Sequence, residues 1–224
     1  MTIYVRGFRE KSPDILNSVE VNTTSTGTML GLSPFYCGNC TLYAGHSAKL
    51  MENAWQFGKA YSNHFVDGDL DTDAYYKWAT AGWEDNKAHR YPMGKGAVPV
   101  CSVWDGEFLN YVQARIRIYF PLYKKAVRET EDWQKLKRMY AQNESLCLVD
   151  YDGRRIDRSG ESQCDVLFNE RKKMGHAFVL KAMLEYGEDV TVNKLMRIEN
   201  RLAELKDCLN TPVVLKLPKF KKVF

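Results

Sequence analysis

Met51-Glu52-Asn53-Ala54-Trp55-Gln56-Phe57-Gly58-Lys59-Ala60-Tyr61 reads as a helix that is apolar on most sides. Glu52, Gln56 and Lys59 break that character at i, i+4 and i+7. At about 100° per residue these offsets fall within roughly 60° of one another, on one face. Around them stand Leu50, Met51, Ala54, Trp55, Phe57 and Ala60. A carboxylate, an amide and an ammonium inside an apolar helix are costly to bury without partners. The spacing therefore predicts a helix over 50–61 that carries either a structural polar network or one wall of a reactive pocket. Periodicity leaves the two equally open.

The rest of the chain frames this helix. Its 224 residues suffice for one domain with a full core. Hydrophobic residues make up 45% and charged residues 27%, so no class outside ordinary globular proteins is called for. No apolar run approaches the ~20 residues of a membrane span, and the N-terminus lacks a signal-peptide pattern. These features predict a cytoplasmic protein with no membrane partner. A net charge of +4 suits a phosphate-rich ligand without demanding nucleic acid. The six cysteines, Cys37, Cys40, Cys101, Cys147, Cys164 and Cys208, are expected to be free thiols. Cys37-Gly38-Asn39-Cys40 is a lone CxxC with no second pair at zinc-site spacing, so no metal and no cofactor is expected.

Three parts are expected: an N-terminal strand and loop (1–30), a main domain (31–186), and a C-terminal helix with a basic tail (187–224). Ile3–Phe8 has strand character, and Thr23–Thr28 reads as a flexible connection. Asp67–Asp73 is similar to a calcium loop but has Thr72 and Trp78 where glycine and glutamate belong, so it reads as an acidic surface turn. Tyr75–Trp83 reads as a short helix. His89–Gly96 is a basic loop whose backbone N–H groups suit phosphate. Phe108–Glu129 reads as a long helix kinked or divided at Pro121. Trp133–Tyr140 reads as a helix and Leu146–Tyr151 as a strand ending in the Asp152-Gly153 turn. Glu170–Tyr186 reads as a helix whose first-turn cations, Arg171, Lys172 and Lys173, oppose the helix dipole and hint at an anion. Leu195, Ile198, Leu202, Leu205 and Leu209 follow a 3-4-3-4 spacing. Two heptads leave docking on the domain and pairing with a second copy through a 190–209 helix equally open. The fold class expected is α+β, mainly α-helical, with a few short strands.

The order of these motifs resembles the NADAR family of N-glycosidases, which act on ribosyl- or ADP-ribosyl-linked bases. Leu32-Ser33-Pro34-Phe35-Tyr36 is similar to the family's opening turn, and Glu52, Gln56 and Lys59 match its Glu-x-x-x-Gln-x-x-Lys helix. Arg90–Trp104, Tyr111–Val127, Leu148-Val149-Asp150 and Met174–Leu180 follow in the family's order. The match covers about 30–186. Departures are Pro34 for the turn's asparagine, Asp150 for a glutamate, and Tyr151-Asp152-Gly153-Arg154 where a Trp-Gly is usual. The overall look, including Met51-Glu52-Asn53-Ala54-Trp55-Gln56, is similar to divergent bacteriophage-encoded members, which are associated with removing ADP-ribose that a host toxin attaches to guanine in DNA.

The resemblance implies a compact NADAR-like domain, ADP-ribosylated DNA or nucleotide as partner, and the host cytoplasm as location. Cleavage of an N-glycosidic bond builds positive charge at the anomeric carbon and negative charge on the departing base. Glu52 would supply the carboxylate, and Lys59 the acid or the nucleophile. Asp150 or Asp152 would be a second carboxylate. Gln56 would orient ribose hydroxyls, and Arg90, Gly94 and Lys95 would bind the diphosphate together with the Arg171–Lys173 turn. Trp55, Phe35, Tyr36 or Trp104 would stack on a base. Ser33, Gly175 and His176 stand in the matching binding motifs. A nucleotide-binding sponge or sensor, and an N-glycosidase for a small ribosyl-amine metabolite, are the alternatives.

Overall fold

Alternating Ile3 and Val5 point inward from the first strand while Thr2, Tyr4 and Arg6 stay more exposed, the period-2 pattern of a half-buried edge. The structure, a computed structural model, describes residues 2–14 and 18–217. The tail expected at 216–224 falls outside them from Pro218 onward.

The strands, in chain order, are β1 (Thr2–Gly7), β2 (Ser18–Asn22), β3 (Gly38–Thr41), β4 (Ser47–Leu50), β5 (Lys59–Ala60), β6 (Phe65–Val66), β7 (Asp69–Leu70), β8 (Cys101–Trp104), β9 (Glu107–Leu109) and β10 (Ser145–Asp150). The helices are α1 (Met51–Gln56), α2 (Thr72–Trp83), α3 (Tyr111–Ala114), α4 (Phe120–Arg128), α5 (Glu131–Gln142), α6 (Ile156–Ser159), α7 (Gln163–Phe168), α8 (Ala177–Tyr186), α9 (Val192–Ile198) and α10 (Leu202–Asn210). The fold is a compact mixture of helix, about 42%, and strand, about 18%, so helix dominates as expected.

The central sheet is parallel, in the order β1-β10-β2. Every residue of β10 is buried, as for a parallel strand with a neighbour on each side. Gly7 pairs with Asp150, and Val149 with Asn22, so the carboxyl ends of all three strands lie together. α8 packs on β1 and β10 through an almost wholly buried face that includes Phe178, Val179, Leu180 and Met183. Trp83, Trp133, Tyr75 and Tyr123 fill the core between the helices. Among the described residues no helix is long and apolar enough to cross a membrane.

Several expectations are corrected. The first strand ends at Gly7, and 1–30 contributes two strands to the same sheet as β10 rather than a strand and a loop. The Thr23–Thr28 connection begins packed, not flexible: Thr23 and Thr24 are buried, and Thr23 Oγ1 donates to the Val149 carbonyl at 2.9 Å. The helix predicted over 50–61 stops at Gln56. The chain turns at Phe57-Gly58, and Lys59 enters β5 because its backbone pairs with Ser102 of β8. Asp67-Gly68 is the tight turn of the β6–β7 hairpin, both residues at positive φ (50° and 102°), and Asp71 caps α2.

Phe108 belongs to β9, and the helix after it begins at Tyr111 under an Asn110 cap. It passes Pro121 unbroken. Arg115–Tyr119 form a π-helical turn in which the Phe120 N–H reaches back to the Arg115 carbonyl. This wider turn takes up the ring and the missing N–H of Pro121 in the first turn of α4. The helix predicted over 170–186 starts only at Ala177, so Arg171, Lys172 and Lys173 lie in a loop and face no helix dipole of their own. The 190–209 segment is two helices, broken where Asn200 adopts φ 58°. Leu195 and Leu205 dock on the domain while Ile198 and Leu209 are exposed, so no continuous seam exists.

Candidate functional site

In open parallel sheets ligands gather beyond the carboxyl ends of the strands. A cavity of about 1180 Å³ lies there, lined by Thr24 and Ser25 after β2 and by Asp150–Asp152 at the end of β10. It exceeds the roughly 300–1,000 Å³ of ordinary small-ligand clefts and has room for a dinucleotide-sized molecule.

Its polar floor is the triplet seen in the sequence. Gln56 Nε2 donates to Glu52 Oε1 at 2.9 Å, and Lys59 Nζ donates to Gln56 Oε1 at 2.7 Å. The amide thus bridges carboxylate and ammonium although Lys59 stands on a strand. Lys59 Nζ also lies 4.7 Å from the centre of the Trp55 ring, a cation–π contact. Glu52 is 7% exposed.

The floor is held by its surroundings. Glu52 N–H donates to the Pro34 carbonyl at 2.8 Å and Met51 N–H to that of Cys37 at 2.9 Å, which satisfies first-turn donors of α1. Tyr123 Oη donates to the Leu32 carbonyl at 2.6 Å and fixes the same turn from the core side. Buried Asn53 donates to the Asp85 and Lys87 carbonyls at 3.1 and 2.9 Å, and accepts from His89 N–H at 2.9 Å. One helix therefore presents the polar triplet and also anchors the loop leading to Arg90.

Burial pushes the Glu52 carboxyl upward, against the hydrogen bond from Gln56 and the positive charges of Lys59 and Arg90. Burial lowers the Lys59 ammonium to about 8, against the opposing effect of Glu52. Lys59 can thus yield its proton more readily than an ordinary lysine, and Glu52 holds one more readily than an ordinary carboxylate.

Asp150 and His176 form a second buried group. Asp150 Oδ2 accepts the Ala177 N–H at 2.9 Å and lies 3.1 Å from His176 Nδ1, while Oδ1 accepts the Asp152 N–H at 3.3 Å. His176 Nε2 donates to the Thr23 carbonyl at 2.8 Å. Gly175 permits this packing: a Cβ there would stand 2.2 Å from Asp150 Oδ2. Asp150 ties β10, β2 and the N-terminus of α8 together beneath the cavity. Each of its oxygens already accepts a backbone N–H, so the carboxylate that reaches the cavity is held in place by the N-terminus of α8 and the Asp152 turn.

Arg90 crosses the mouth. Its guanidinium lies 3.6 Å from Asp152 Oδ2, and 5.1 and 5.6 Å from the Tyr151 and Tyr91 ring centres. Buried Arg115 stacks 4.0 Å over Tyr111 and donates to the Val166, Leu167 and Asn169 carbonyls at 3.3, 3.2 and 2.7 Å, and to that of Lys172. It holds the loop that carries Arg171, Lys172 and Lys173 to the rim. Those three and Lys216 leave the cavity with more cations than carboxylates.

Ser33, Phe35, Glu52, Trp55, Gln56, Lys59, Arg90, Gly94, Asp150, Asp152, Gly175 and His176 all line this cavity. Three expected binding residues do not. Tyr36 points to solvent, Lys95 is exposed beyond Gly94, and Trp104 packs edge-on against Tyr43 at 4.8 Å. Cys37 and Cys40 are buried in the core, and His46 stacks on Tyr76. Sequence reasoning missed Asn53, Arg115 and the Pro212–Leu217 segment, which forms part of the wall. The position of Arg115 directly between Ala114 and Ile116, one turn from Tyr111 and Ile118, was a usable signal; Pro212–Leu215 offered none.

Compared with protein-family models, with curated proteins and with solved structures, the chain matches none.

Proposed function

We propose that the chain is an N-glycosidase that hydrolyses a base–ribose bond, with ADP-ribosylated guanine in DNA as substrate, in the setting of a phage countering a host ADP-ribosylating toxin. The observation that carries this reading is the Glu52–Gln56–Lys59 hydrogen-bonded chain on the floor of a large, cation-rimmed cavity. The diphosphate would meet Arg90 and the Arg171–Lys173 loop, and the base would lie against Trp55 or Phe35.

In the reaction the bond between the anomeric carbon and the base nitrogen breaks, and its electron pair leaves with the base. Lys59 gives that nitrogen a proton. Glu52 stabilises the cationic sugar and takes a proton from the water that adds to the anomeric carbon. The products are free ADP-ribose and the unmodified base, and proton transfer from Glu52 to Lys59 restores the starting pair.

Release of ADP-ribose from ADP-ribosylated guanine DNA tests the proposal. Glu52→Gln keeps shape and hydrogen bonding but removes the charge, and should lower kcat about 100-fold or more. Turnover unchanged in both Glu52→Gln and Lys59→Ala, with melting curves intact, would refute the assignment. Binding of ADP-ribose with no release on long incubation would make the protein a sponge or sensor instead.

A further inference from the structure

The cavity mouth carries three aromatic rings to which cleavage gives no role. Single exposed hydrophobic side chains are ordinary, but contiguous ones beside a cavity mark a binding surface. Here Phe8, Tyr91 and Tyr151 are 43%, 46% and 47% exposed. They are connected. Phe8 stacks on Tyr151 with ring centres 4.6 Å apart and planes 26° from parallel. Tyr151 meets the Arg90 guanidinium at 5.1 Å, and Arg90 meets Tyr91 at 5.6 Å. The result is a ladder, Phe8–Tyr151–Arg90–Tyr91, running from the open surface to the cavity that Tyr151, Arg90 and Tyr91 line.

The backbone is built to permit the ladder. Phe8 follows β1 and Tyr151 follows β10, and the last paired residues of those strands are Gly7 and Asp150. A Cβ on Gly7 would stand 2.9 Å from the Gly153 carbonyl oxygen, and one on Gly153 would stand 2.5 Å from that of Arg6. Two glycines therefore let the strand ends approach closely enough for the rings to stack. Burial does not account for the pair, since nearly half of each ring faces solvent.

We infer that this ladder is a stacking platform for the nucleotides flanking the modified base on a single-stranded nucleic acid, which rests on the proposed glycosidase reading and specifies its substrate. Exposed rings beside a guanidinium accept any base face, and the neighbouring cations meet the strand's phosphates. Paired bases in a duplex bury their faces in the stack and cannot use the platform.

The experiment uses the full chain and a short, unmodified, fluorescein-labelled DNA strand, the same strand annealed to its complement, and free ADP-ribose. Unmodified DNA carries no ADP-ribose to release, so this binding result is independent of the glycosidase assay. The single strand should bind more tightly than the duplex. Phe8→Ala and Tyr151→Ala should each weaken it about five- to 150-fold, the range for losing one stacked base. Phe8→Leu, which keeps bulk but not the ring, separates lost stacking from lost packing and should weaken the strand similarly. ADP-ribose affinity in Phe8→Ala should stay at the parent value. The inference is overturned if duplex and strand bind equally, or if Phe8→Leu binds the strand like the parent protein.

Discussion

Lys59 should make activity fall above pH 8 while stability rises. The parent protein would be assayed for kcat/KM across neutral to alkaline pH. With the ammonium lowered to about 8, its protonated fraction is about 0.9 at pH 7 and about 0.1 at pH 9. A reaction that needs Lys59 as acid should therefore slow about tenfold over that interval. A lysine at its ordinary 10.5 would lose only about 3% of its protons by pH 9. The sign for stability is opposite. Lys59 is lower when folded than when unfolded, so between about pH 8 and 10.5 the unfolded chain binds more protons, and this group makes stability rise with pH. Loss of activity alongside a steady or rising melting temperature thus excludes unfolding as the cause. Lysine-selective ¹⁵N NMR reads the same midpoint without turnover. In Glu52→Gln that midpoint should move below the parent value, because the charge that raises Lys59 is gone while burial remains. A profile flat to pH 9 with an NMR midpoint near the ordinary value would refute the burial argument. A rate that climbs through pH 8 would instead show the free amine attacking as nucleophile.

Three further outcomes follow from the packing. Gly175→Ala should cost about 1–3 kcal/mol, read as a lower melting temperature, because its Cβ cannot share space with the Asp150 carboxylate that holds Ala177 and His176; an unchanged melt would show that the group is loosely packed. Arg115→Met should cost about 3 kcal/mol and speed hydrogen exchange and proteolysis across 166–173, since it strips four carbonyls of their donor. Asn53→Ala should raise KM about tenfold with a smaller change in kcat, as the loop held at Asp85, Lys87 and His89 no longer fixes Arg90; a pure kcat defect would place Asn53 in the chemistry instead.

Much of the polar floor was legible because it is local. Glu52 and Gln56 are one helical turn apart, and that relation survives in α1. Lys59 joins them for another reason. Its strand pairs with β8 more than forty residues away, and a helical wheel cannot register such a partner. β2 was different: Ser18-Val19-Glu20-Val21-Asn22 alternates polar and apolar residues, a local strand signal that its pairing with β10 answers. Periodicity overextended the helix before Tyr186 because Gly175 and the Asn169–Lys172 carbonyls answer to Asp150 and Arg115, residues distant in sequence. Tyr36 and Trp104 were equally plausible as stacking residues by type, and only the Ser33–Tyr36 turn and the β8–β9 hairpin that carry them turn both away from the cavity.

The register of β1 against β10 bears on the order in which the chain acquires its site during synthesis. Thr2 finds its partner only when Ser145 has been made, and Gly7 only with Asp150. β2 also waits for β10, so the first two strands emerge from the ribosome with nothing to pair with. Closing so long a loop is slow relative to forming local helices. α2 and α5 can form early as local elements, while the cavity and its platform are completed late and together. A nascent chain stalled before β10 should be protease-sensitive at both N-terminal strands, and should become protected only once Asp150 has cleared the exit tunnel.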